Sequence, residues 1–225
     1  MTSSKSIRYV PPAMSIVAAS LLAGACALGG ANIAAPRLYD FGIAAASQVE
    51  VPRVAIGSVR AAPTVSGTEI RYRLASDPYQ ARAYSESRWL AAPSELLANR
   101  LAAALGEPKN PNDGSLVGPP RPASFRLSVE LAVFEQIFDT PNQARAVLRL
   151  VAEVQDSRTR RTVGRRVLDS ERATPTADAA GAVASLVELT DEAVRELLRW
   201  LALELEAYVP PAPAESGKPW RSRQS

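Results

Sequence analysis

Histidine is absent from this 225-residue chain, and cysteine occurs once. Without histidine the chain holds neither a Ser-His-Asp triad nor a Cys-His pair. Zinc sites drawn from histidine and several cysteines are excluded on the same ground. One cysteine cannot close an internal disulfide, so a hydrophobic core must do the stabilising. Lysine is scarce as well, three residues against 23 arginines. The densest basic run is Arg158, Arg160, Arg161, Arg165 and Arg166. It reads as a solvated turn and strand edge rather than a phosphate-binding patch. A clustered basic face with stacking aromatics is missing, which argues against nucleic acid. No Gly-rich phosphate loop, Walker pattern or paired-acid signature occurs, which points away from an enzyme and from any cofactor.

What is present begins at the N-terminus. Lys5 and Arg8 form a positive n-region, an apolar stretch runs from Ala13 to Leu22, and Ala23-Gly24-Ala25 leads to the lone Cys26. This order is that of a secretory signal over residues 1–25. A cysteine directly after it resembles the lipobox of bacterial lipoproteins, in which the thiol takes a diacylglycerol and becomes the first mature residue. Two other fates stay open. Ala23-Gly24-Ala25 also suits an ordinary secretory peptidase. Ala13 to Ala35, 23 residues interrupted by Ser15, Ser20, Asn32 and three glycines, would make a weak uncleaved span. All three fates export the rest of the chain. The exported part carries 24 basic and 23 acidic residues, so the basic pI says little about partners.

Alternation marks the strands. In Ser124–Glu135 the odd positions Phe125, Leu127, Val129, Leu131 and Val133 are apolar and the intervening ones mostly polar, as a half-buried strand requires. Phe134 breaks the pattern and marks a bulge or a second contact. Asp139-Thr140-Pro141-Asn142 turns the chain into a second strand, Ala146–Gln155. Asp156–Thr159 turns it again into a third, Thr162–Ser170, giving an antiparallel meander. Upstream, Val51–Val59 and Thr68–Leu74 read as shorter strands joined by a turn at Pro63–Gly67, with Leu38–Phe41 as an edge strand.

Two helices are expected. Pro93 suits the first turn of a helix reaching Leu105, with Gly106 as its stop. A longer helix spans Thr176 to Tyr208, its stripe Val183, Val187, Val194, Leu198, Leu201, Leu205 and Tyr208 interrupted near Thr190. The segment 107–122, with five prolines and two glycines, reads as an exposed loop, and 209–225 as a disordered Pro-rich tail. Apolar faces on both element types imply an α+β domain over 37–208, a mainly antiparallel sheet with two helices on one face. Residues 26–36 are its linker.

The pieces together resemble a known family. After Cys26 come Leu38-Tyr39-Asp40-Phe41-Gly42, then Ile70-Arg71-Tyr72-Arg73, then Tyr84 before Trp89-Leu90-Ala91-Ala92-Pro93, with Leu96, Leu97 and Leu101 following and Trp200 near the end of the last helix. This order is similar to the ABC-type transport auxiliary lipoprotein family of PqiC type, across nearly all of 37–208. The resemblance implies a fold similar to the TolB N-terminal domain. It also implies a non-enzymatic accessory subunit beside an ABC ATPase, a permease and an MCE-domain protein that move lipid between bacterial membranes. Ala27 is not the aspartate that retains lipoproteins at the inner membrane, so the resemblance implies a lipid anchor in the outer membrane facing the periplasm, an inner-membrane N-terminal anchor being the alternative.

Tyr72, Tyr84 and Trp89, with Tyr79, offer aromatic area for a lipid or partner, their alternative use being core packing. A lipid ligand and a homo-oligomer stay open. Two functions compete with the transport reading: an envelope structural or assembly lipoprotein without a transport partner, and a periplasmic hydrolase needing a cleft with two close acids.

Overall fold

The computed structural model describes residues 35–43, 51, 54–106 and 123–210. In chain order its elements are β1 (Arg37–Tyr39), β2 (Val54–Ala61), a 3-10 turn (Pro63–Val65), β3 (Glu69–Leu74), β4 (Asp77–Trp89), α1 (Pro93–Ala104), β5 (Phe125–Thr140), β6 (Gln143–Asp156), β7 (Thr162–Ala173) and α2 (Ala179–Ala207). All lie in the unit Pro36–Ser225. The signal segment, Cys26, the 107–122 loop and the tail beyond Pro210 fall outside the described residues. Among those residues no helix is long and apolar enough to cross a membrane.

Strand β5 organises the sheet. One of its edges pairs antiparallel with β6 along almost its whole length, and β6 in turn pairs antiparallel with β7, so the expected meander is formed. Its other edge is shared. β2 runs parallel to the first half, from Val54 opposite Phe125 to Ala61 opposite Leu131. β3 runs parallel to the second half, from Tyr72 opposite Gln136 to Leu74 opposite Phe138. β4 then pairs antiparallel with β3, and β1 adds in parallel to the end of β4. The order β1-β4-β3-β5-β6-β7, with β2 beside β5, is a seven-stranded mixed sheet. The expected turn at Pro63–Gly67 does not reverse the chain. It is a short excursion, and β2 and β3 travel in the same direction along one edge of β5.

One shift within β5 decides which side chains are buried. Leu127, Val129 and Leu131 face the core, the register slips between Leu131 and Val133, and Phe134 and Gln136 then take the core positions, with Glu135 buried between them against Arg73 on the other face. A bulge opposes two residues to one and so moves every following side chain to the other face. The sequence signal at Phe134 was the footprint of this slip, and the strand runs on to Thr140 rather than ending at Glu135.

The helices cover the face carrying Leu127, Leu148 and Leu150, touching each other and sharing one core cluster with the sheet. Thr190 does not interrupt α2, because its hydroxyl donates to the Leu186 carbonyl at 2.7 Å and turns its polar atom inward harmlessly. The helix starts later than the stripe suggested. Asp178 adopts an extended cap conformation and accepts from the Gly181 N–H at 2.8 Å. That bond, followed by one from the Thr176 hydroxyl, holds the Asp178 carboxyl below the usual carboxylate range.

Gly181 is confined as well as capped, since a Cβ there would press into the backbone carbonyl of Thr176. Alanine ordinarily stabilises a helix relative to glycine by roughly 1 kcal/mol. Here the sign reverses: Gly181→Ala is expected to lower stability by about 1–3 kcal/mol through overpacking. Urea denaturation measures it, and an unchanged or raised midpoint would contradict the packing described.

Candidate partner-binding pocket

The structure divides the aromatic trio expected from sequence. Trp89 is 2% exposed and belongs to the core, with Phe41 edge-on at 5.5 Å and Phe134 tilted at 5.5 Å. It therefore corrects the expectation of a contact residue: at the buried end of β4 it packs against the turn after β1 and against β5 and offers almost no surface. Tyr79 lies at the other end of β4 and is 95% exposed. Tyr72 and Tyr84 do come together.

Strand geometry explains why. Tyr72 stands opposite Arg82, so Tyr84, two residues on, is its diagonal neighbour across the β3–β4 ladder. Their ring centroids are 4.9 Å apart. Leu74 stands opposite Phe138 on the parallel side, which brings the Phe138 ring within 5.5 Å of Tyr72. Phe138 reaches this face only because of the earlier slip in β5. Ile70, Tyr72 and Leu74 alternate onto the core side, Ile70 fully buried and the other two half-buried past the edge of the core.

The result is a pocket of about 620 Å³ lined by Tyr72, Leu74, Tyr84 and Phe138, with the β5–β6 turn along one side. Its rim charges are already engaged. Arg82 bonds Gln80 at 2.7 Å and lies 3.6 Å from Asp77, while Asp139 is paired with Arg145. Behind the pocket, on the opposite face, Arg73 sets its Nε 2.7 and 2.8 Å from the two Glu135 oxygens and donates to the Pro78 carbonyl at 3.0 Å. Arg73 thus fastens β3 to β5 and to the start of β4.

Tyr84 has a polar partner inside. Its hydroxyl donates to Gln136 Oε1 at 2.5 Å, Gln136 Nε2 donates to the Thr174 hydroxyl at 3.2 Å, and that hydroxyl donates to the Ala144 carbonyl at 3.1 Å. Gln136 is fully buried, so this chain of bonds satisfies an amide that sequence reasoning would place on the surface. Burial first, then the charge of Asp178 and the neighbouring Tyr72, push the Tyr84 phenol well above its ordinary range, so it remains a neutral donor. The Ser76 and Thr140 hydroxyls also line the pocket, and the Asp139 carboxylate there is held by Arg145. No group of acids or cysteine among the described residues could hold a metal ion. The arrangement suits an apolar or aromatic side chain, or a short run of acyl chain, entering against rings with a fixed polar floor.

Sequence reasoning found Tyr72 and Tyr84 but not Phe138, Leu74 as lining, or Gln136. The signal for Phe138 lay in the sequence: Phe134, Gln136 and Phe138 form an even-numbered alternation that follows the odd-numbered one. Tyr84→Phe deletes the donor and leaves Gln136 Oε1 buried and unpaired, so stability is expected to fall by about 1–3 kcal/mol. Denaturation of Tyr84→Phe against Tyr84→Phe/Gln136→Leu checks this. The double variant should recover part of the loss, and a Tyr84→Phe protein as stable as the parent would refute the bond.

Comparison with known proteins agrees with this architecture. The family model for the ABC-type transport auxiliary lipoprotein component matches residues 39–198. Among solved structures, protein XCC0632 from Xanthomonas campestris, of family DUF330, aligns with TM-score 0.61 and 18% identity over 75% of this chain and 96% of its own. A second, an uncharacterized protein, aligns with TM-score 0.55 and 12% identity over 74% of this chain and 99% of its own. At such identities these two likenesses speak for the α+β fold alone. No curated protein matches. With most of its length matched by the family model, from the end of β1 into the second half of α2, the chain belongs to the ABC-type transport auxiliary lipoprotein component family.

Proposed function

We propose that this protein is a non-enzymatic, lipid-anchored accessory subunit of an ABC/MCE-type intermembrane lipid transporter, tethered through Cys26 and engaging its partner through the Tyr72–Tyr84–Phe138 pocket. One observation carries the reading: in a family of transport auxiliary components, the pocket offers clustered aromatic contact area on a three-strand scaffold. Enzymes place titratable groups where their environments drive the pKa values toward working pH. In this pocket burial drives the Tyr84 phenol away from it. The domain 37–208 would be the docking module, residues 1–25 the removed signal, 26–36 the tether and 209–225 the trailing tail. Ala27 after the cysteine supports an outer-membrane address facing the periplasm.

The partner in this reading is the MCE-domain protein, with the permease and ATPase reached through it. A central, well-packed aromatic or aliphatic contact typically accounts for 2 kcal/mol or more of binding, roughly a 30-fold change in affinity. Tagged full-length protein, purified from membranes in mild detergent, should bring the MCE-domain protein with it. Leu74→Asp should reduce that recovery by on the order of tenfold or more, whereas Val167→Asp, on the exposed side of β7, should not. Failure of the parent protein to recover any MCE-domain protein would overturn the transport reading in favour of an envelope assembly role. Equal recovery with Leu74→Asp would move the contact elsewhere. In the same preparation Cys26→Ser should abolish fatty-acid labelling and release the protein from membranes. A serine variant that stays membrane-bound would mean that the N-terminal segment is an uncleaved anchor.

A further inference from the structure

A second apolar surface lies away from the pocket. Among the described residues, Leu38, Ile43 and Leu90 are 59%, 100% and 60% exposed. The topology gathers them at one corner. Leu38 stands opposite Arg88 in the β1–β4 ladder, two residues before Leu90, and the Leu90 N–H donates to the Tyr39 carbonyl at 2.6 Å. Ile43 and Leu90 then line a hollow of about 560 Å³ whose α1 wall is Leu96, Asn99, Arg100 and Ala103. Side chains of this size seldom cluster in water without something to cover them.

The corner is also held firmly. Gly42, at φ +63°, donates its N–H to Asp40 Oδ1 at 2.8 Å and makes the tight turn that carries Ile43 outward. The buried Arg100 guanidinium donates to the Phe41 carbonyl and sets its Nε 3.2 Å from Asp191, joining this turn to α1 and α2. Leu38 and Leu90 are therefore presented by a braced scaffold.

We propose that this corner rests on the bilayer that carries the protein's own lipid, with Leu38, Ile43 and Leu90 entering the interfacial layer. The inference rests on acylation of Cys26 proposed above. Chain length selects the occupant. Cys26 precedes Arg37 by 11 residues, which span at most about 40 Å when fully extended. Helix α2 alone, at 29 residues, is about 43 Å long. The tether is thus no longer than the domain, and it enters the fold at the corner where these side chains are exposed. A group attached to the membrane at such short range meets it at high effective concentration, so a few apolar side chains suffice to dock it. Docked this way the domain has a fixed orientation, with β1 toward the lipid.

The test uses the full lipidated chain in vesicles of phosphatidylethanolamine and phosphatidylglycerol. Acylation consumes the only native thiol, so Ile43→Cys or Leu90→Cys accepts one nitroxide label per chain, as do the controls Tyr79→Cys and Val167→Cys. Labels at 43 and 90 should be several-fold more accessible to oxygen dissolved in lipid, and less accessible to a water-soluble nickel reagent, than those at 79 and 167. Nickel accessibility equal at all four sites overturns the docking while leaving the anchor intact. Protection from both reagents together with dipolar broadening between chains places a second copy on the corner and also overturns it. Two labels per chain mean that Cys26 is free, and the anchor reading falls with the docking.

Discussion

Everything that positions the aromatic pocket depends on one slipped residue in the central strand. Before the slip β5 sends Leu127, Val129 and Leu131 to the helices; after it, Phe134 and Gln136. Had the first phase continued, the Glu135 carboxylate would point into the core, where an isolated charge is prohibitive. The slip instead places Glu135 beside Arg73 on the opposite face and brings Phe138 to Tyr72 and Tyr84. The same level of the sheet is where β2 leaves the opposite edge of β5 and the 3-10 turn intervenes before β3 begins. One edge of this 16-residue strand keeps β6 as its partner throughout, with the bulge between them, while the other edge is divided between β2 and β3. Two short parallel strands and a bulge are the solution this sequence adopts.

Arginine, so abundant here, serves the fold more than any ligand. Arg172 bridges β7 to Glu188 and Glu192 of α2, and Arg166 reaches Glu196 at 3.0 Å further along the same helix. Exposed pairs of this kind add little energy each. Their use is in register, since they fix how α2 lies along β7, and Gly164 lets Glu204 approach the strand closely. The deeper contact is Arg100, 5% exposed, which ties the turn after β1 to both helices. The chain without histidine and with one cysteine has thus replaced cross-links by a large apolar core and planar guanidinium contacts.

Much of this was legible in the sequence because it is written in alternation and periodicity. The meander, both helices and the α+β class follow from Phe125–Val133, Ala146–Val154 and the stripe from Val183 to Leu205. Strand β4 was not legible. Its run from Asp77 to Ser87 is polar or small at nearly every position, because β1 covers only its last three residues and little of its length touches the core. Parallel pairing of β2 and β3 with β5 was hidden too, since alternation reports which face is buried and not which strand lies alongside. In the pocket, Tyr72 and Tyr84 stood out as aromatics amid polar neighbours. Trp89 looked the same in sequence, and only its place opposite Tyr39 in the β1–β4 ladder sends it inward. Gln136 was invisible, because burial of a glutamine is decided by partners from β4 and the end of β7.

Taken together, the chain belongs to a transport auxiliary lipoprotein family, and its domain carries a braced corner around β1 and an aromatic pocket elsewhere on the sheet. The docking proposed above is tested most directly by trapping the contact in living cells. A photocrosslinking amino acid placed at Leu74 or Ser76, at the pocket, should form adducts with an MCE-domain protein identified by mass spectrometry, while the same group at Val167 should not. Adducts to that protein from Val167 alone, or none from any position in cells that express the transporter, would contradict the account.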